Sequence, residues 1–137
     1  MRTRHFAVAL AVALSFTACS SMPVEQLKVK SSLLTTGGDD ARFKRVPLSS
    51  FSEEDRVFFV TTVEWADLEK SAGRHDVRWT WSSNGKVVTV LKREYVFNQT
   101  PFELLSTMPA SALGKGPARV ELQIDSKPFA STDFTVR

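Results

Sequence analysis

The 137 residues carry 18 lysines and arginines against 15 aspartates and glutamates, with six glycines, six prolines and a single cysteine. One cysteine builds no disulfide framework, and the small positive excess is no argument for nucleic-acid binding. A folded part of about 120 residues is one domain, large enough to be held by packing alone.

The chain opens with Arg2 and Arg4, an apolar stretch over residues 6–16 and the small residues Thr17 and Ala18. That is the layout of a secretory signal. The stretch falls short of the ~20 apolar residues needed to span a bilayer. Without the two leader arginines, sixteen basic residues face fifteen acidic ones, a net charge of +1. The run Phe16-Thr17-Ala18-Cys19 resembles the lipobox of bacterial lipoproteins, although Phe16 stands where that family usually has an aliphatic residue. The resemblance implies residues 1–18 as signal peptide, diacylglycerol on the Cys19 thiol and a fatty acyl chain such as palmitate on its amino group. With Ser20 and Ser21 next, it also implies sorting to the Gram-negative outer membrane, the domain facing the periplasm. Several acyl chains give stable anchoring where one does not. The alternative is an ordinary secretory signal cut near Ser20 or Ser21, leaving a soluble periplasmic protein.

Residues 19–40 are expected to form the lipidated N-terminus, a tether disordered to about Pro23, and an edge strand near 27–34. Gly37-Gly38-Asp39-Asp40 is expected to close this part as a turn whose acids lack calcium-loop spacing. Residues 41–137 are assigned to the folded domain. Within it, residues 52–55 form a solvated loop, and the β-branched and aromatic run over 57–65 makes a central strand buried on much of both faces. Asn84-Gly85 is the dipeptide best suited to a two-residue type I′ turn. A plain two-residue turn sets Trp81 opposite Val88, Trp79 opposite Val90, Val77 opposite Lys92 and His75 opposite Glu94. On the other face it pairs Thr80 with Thr89, Arg78 with Leu91 and Asp76 with Arg93.

Residues 94–97 extend this hairpin or form a separate piece, 101–107 form a strand, and 108–113 a short helical turn ended by Gly114. Residues 119–125 alternate with Val120, Leu122 and Ile124 inward, 125–128 turn the chain, and 129–136 return as the last strand. About seven short strands without a sustained helical period predict an all-β, antiparallel, immunoglobulin-like sandwich. The motifs from His75-Asp76-Val77-Arg78-Trp79 and Trp81 through Asn84-Gly85-Lys86, then Gly116-Pro117-Ala118-Arg119-Val120 and Phe134-Thr135-Val136, resemble small bacterial periplasmic immunoglobulin-like domains. They encode hairpins and core tryptophans, so the resemblance carries fold and little function. The paired core cysteines of antibody domains are missing.

The residues offer no cofactor site and no metal site. His75 is the only histidine beyond the leader, no nucleophile motif is present, and no carboxylate pair is set apart for acid–base chemistry. His75 is expected as a hydrogen-bonded border residue facing Glu94. A non-enzymatic accessory domain binding an envelope protein is the leading reading, with no nucleic acid and no small-molecule substrate implied. The alternatives are a binding module for glycan, peptidoglycan or lipopolysaccharide using an exposed Trp65, Trp79 or Trp81, and a structural spacer. The expected docking surface is the hairpin face away from the tryptophans, with Arg78, Arg93 and Leu91 together on it.

Overall fold

The computed structural model describes residues 21–37 and 45–137. Residues 1–20, with the expected signal peptide and Cys19, and residues 38–44, including most of the expected Gly-Gly-Asp-Asp turn, lie outside the described residues. After a 3₁₀ turn at Val24–Gln26, the strands are β1 (Lys28–Thr35), β2 (Ser50–Phe51), β3 (Arg56–Glu64), β4 (Gly73–Ser83), β5 (Lys86–Phe97), β6 (Phe102–Pro109), β7 (Gly116–Ile124) and β8 (Lys127–Val136). A single helical turn, α1 (Ala110–Leu113), lies between β6 and β7. They form a three-stranded sheet ordered β1-β3-β6 and a five-stranded sheet ordered β2-β8-β7-β4-β5. All pairings are antiparallel except the two-residue contact of β2 with β8. This is an immunoglobulin-like β-sandwich: the hairpins β4–β5 and β7–β8 each stay within one sheet, and the chain between them crosses to the other sheet through β6 and back, so that non-consecutive strands such as β4 and β7 lie side by side.

The core follows from alternation. In β4, His75, Val77, Trp79, Trp81 and Ser83 are buried, and in β7 Ala118, Val120, Leu122 and Ile124 are. From the facing sheet, Val57, Phe59, Thr61 and Val63 of β3 point inward at 0% exposure. Phe134 of β8 meets Phe51 and Trp81 edge-on, at 5.6 and 6.2 Å, a favoured geometry for aromatic pairs. Central strand β3 is covered on its other face too. Val60, 3% exposed, lies between Leu33 and Leu105, and Arg45 reaches that face to bind Glu103 in a bidentate pair at 2.7 and 2.9 Å.

Three expectations need correction. The Asn84-Gly85 turn forms, with Asn84 at φ 51° and Gly85 at 77°, but a bulge follows it at once. Ser82 pairs with Val87, then Trp81 pairs with Thr89, so Val88 is the extra residue. Beyond it every partner shifts by one: Trp79 faces Leu91, Val77 faces Arg93, Asp76 faces Glu94 and His75 faces Tyr95. Second, the edge strand expected near 27–34 forms as β1, but it is built into the sandwich instead of standing apart from residues 41–137. β1 is part of the three-stranded sheet, and Val24, Leu27 and Leu34 belong to the core. Third, order reaches back past Pro23: Met22 is 9% exposed and donates its N–H to the Ala72 carbonyl at 2.8 Å.

Candidate functional site

Opposed residues of an antiparallel pair share a face, so the bulge decides what the hairpin displays. Arg78 lies on the outer face, opposite Lys92 on one side and Gln123 on the other. Arg93 and Leu91, opposite Val77 and Trp79, lie on the inner face. The three expected docking residues are therefore split between two faces, and Lys92 takes the place beside Arg78 expected for Leu91. One hint lies in residues 87–91 (Val-Val-Thr-Val-Leu), which do not alternate, so the pattern sets no register there.

Strand β5 is the free edge of the five-stranded sheet. The facing sheet is narrower, so inward-pointing Leu91 and Tyr95 are only half-buried and Arg93 is exposed. A bulge, edge lysines and an inward-pointing charge are devices that stop edge strands pairing with other chains. Arg93 is explained by that duty without any partner.

The outer face sorts its charges unevenly. Arg119 donates to Glu121 at 3.0 Å, Asp133 at 3.1 Å and the Ser131 hydroxyl at 3.1 Å. The hydrogen bond to Asp133, then that to Glu121, raises its pKa further above the ordinary arginine value. Arg74 pairs with Glu94 at 2.7 Å. Among the described residues, Arg78, Lys92 and Arg93 have no anionic partner within ion-pair distance, although Asp76 lies near them. Arg78 and Lys92 directly face each other, and like charges directly opposed across strands destabilise the pair. All three line an open depression of about 420 Å³ that also takes in Asp76, Glu94, Gln123 and Ser126.

His75 is no border residue. Its side chain is fully buried, 4.9 Å from the Phe97 ring, with Nδ1 2.6 Å from Asp125 Oδ2 and Nε2 2.9 Å from the Ala72 carbonyl. A carbonyl only accepts, so Nε2 is the donor of that hydrogen bond. Asp125 Oδ1 also accepts the Asp76 N–H at 3.0 Å, and Ala72 also accepts from Met22. His75 thus ties the start of the fold to the β7–β8 turn.

All three tryptophans are buried: Trp65 at 4%, Trp79 at 1% and Trp81 at 0% exposure. Trp65 stacks on Phe97 at 6.4 Å and donates Nε1 to the Lys70 carbonyl at 2.6 Å; Trp81 donates to Ser106 at 3.0 Å. No tryptophan ring is left as a platform for a sugar.

No family model and no curated protein matches the sequence. Solved structures do share the fold. The alkylpurine DNA glycosylase AlkC of Pseudomonas fluorescens, bound to DNA containing an abasic site analogue, matches at TM-score 0.53 and 14% identity over 82% of this chain. This chain spans only 30% of that one. The C-terminal domain of Wzt matches at TM-score 0.52 and 10% identity, covering 82% of this chain and 74% of that domain. An immunoglobulin-like protein from Pseudomonas aeruginosa aligns over 81% of this chain and 96% of its own at 9% identity and TM-score 0.49. At such identities the likeness concerns fold alone.

Proposed function

We propose that this chain is an outer-membrane lipoprotein, anchored through Cys19, whose sandwich is a non-enzymatic accessory domain that binds an acidic segment of an envelope protein on the outer face of β4 and β5. The observation that carries the binding reading is the opposed pair Arg78 and Lys92, neither of which has an anionic partner within ion-pair distance among the described residues. Arginine suits such a site because its planar fork takes a carboxylate while its stem covers apolar area. The half-buried Val90 and Thr80 alongside offer that apolar area. This replaces the triad Arg78, Arg93 and Leu91 with Arg78 and Lys92, keeping Arg93 at the rim.

Two measurements test the parts separately. Cys19→Ala is expected to leave an unprocessed, unlipidated chain in the aqueous phase on detergent partitioning; retention in the detergent phase would refute the anchor. A photocrosslinker at position 90 is expected to capture one protein partner in cells, and that product should vanish in the Arg78→Ser, Lys92→Ser double variant at unchanged abundance. A product undiminished by the substitutions would remove this face from consideration.

A further inference from the structure

We infer that the end of the sandwich where the chain enters the fold rests directly on the bilayer, with Leu68 dipping into the lipid interface. The inference builds on the lipid-anchor reading and adds an orientation to it. Only two residues separate Cys19 from Met22. At ~3.6 Å per residue, the acylated residue and Met22 are at most about 11 Å apart. Crossing the headgroups of one leaflet takes about 5–8 Å of that.

No slack is available on the protein side. Met22 is fixed by its hydrogen bond to Ala72, and the backbone of Ser21 lies so close to Gly73 that an added Cβ there would sit 2.9 Å from the Ser21 Cα. The partners of β1 show which end this is. Lys28 pairs with Glu64 at the end of β3, so the chain enters beside the β3–β4 loop. The 98–101 connection and the Asp125-Ser126 turn, joined to the strand ends Phe97 and Ile124, lie at the same end. Met22, Lys28, Asp67 and Lys70 line one depression, which puts the β3–β4 loop next to the chain's entrance.

That loop carries Leu68, which at 76% is more exposed than the other exposed large hydrophobic residues described. The loop is otherwise anchored at Trp65 and Lys70. The charges around it, Asp67, Glu69, Glu25, Glu64 and Asp125 against Lys28, Lys70 and Lys127, leave no cationic excess, so apolar insertion and not charge holds this end to lipid. A leucine held out into water has an account once the water is replaced by acyl chains.

The test uses the full, lipidated protein in phosphatidylethanolamine and phosphatidylglycerol vesicles. Leu68→Cys and, as the distal control, Val87→Cys each introduce one free thiol, because the Cys19 thiol is acylated; each is labelled with an environment-sensitive fluorophore. With nitroxide-bearing lipids present, emission at position 68 should shift to the blue and be quenched, and emission at position 87 should do neither. Protein that floats with the vesicles but is quenched equally little at both positions overturns the orientation while leaving the anchor intact. Protein that does not float overturns the anchor, and the orientation falls with it.

Discussion

Asp125 and Ser126 close the β7–β8 turn with φ of 50° and 66°, left-handed values that cost an ordinary L-residue ~1 kcal/mol or more. They are not equivalent. Asp125 serves both His75 and the Asp76 N–H, whereas Ser126 makes no side-chain hydrogen bond. Ser126→Gly is therefore expected to raise the urea midpoint by the equivalent of about 0.5–1 kcal/mol, the relieved left-handed strain outweighing the extra freedom that glycine gives the unfolded chain. Asp125→Ala should lower stability by about 1–3 kcal/mol, because a fully buried imidazole loses an acceptor. Asp125→Asn, which tolerates the same backbone and keeps one acceptor oxygen, should lie between the two. Gly73 belongs with these residues: at φ 81° and against the Ser21 backbone, Gly73→Ala should displace the chain's entrance and cost about 1–3 kcal/mol in the same assay.

At the scale of elements, β5 shows how one inserted residue changes a surface. The Asn84-Gly85 turn was legible, as were β1, β3, β7 and β8, because each announces itself by β-branched residues, alternation or a turn dipeptide. The register past the turn was not. Residues 87–91 are apolar on both parities, and a bulge leaves no mark in such a run. Two-residue β2 was equally invisible, since Phe51 is held by Phe134 and the pairing with β8, both distant in sequence. His75 was misplaced for the same reason: its partners come from the β3–β4 loop and the β7–β8 turn. If Arg93 guards the free edge, Arg93→Val in the unlipidated chain should give concentration-dependent self-association by sedimentation, where the parent stays monomeric. Trp79→Ala should cost about 3–5 kcal/mol, as large buried aromatic deletions do.

For the whole molecule, three buried tryptophans give a single readout of folding. Emission should be blue-shifted in the native state, resist quenching by iodide, and move to the red in one cooperative step with denaturant, as expected of one small domain. Inserting ten flexible residues between Ser20 and Ser21 should leave that transition unchanged, because no described contact is broken. It should, however, abolish the lipid contact of position 68 while flotation persists.

The parallel pair of β2 with β8 and the register of β1 with β3 also fix where the chain arrives and departs. It arrives before β1, beside the β3–β4 loop, and leaves after Val136, which pairs with Gly116 at the far end of β7. A pull on the C-terminal residue against a held Met22 therefore runs along the strands. The ladder bonds of β1 on β3 and of β8 on β7 lie across that direction, so they are sheared together instead of being peeled one at a time. Under tension such a domain gives way late and all at once, the mechanical character of a strut.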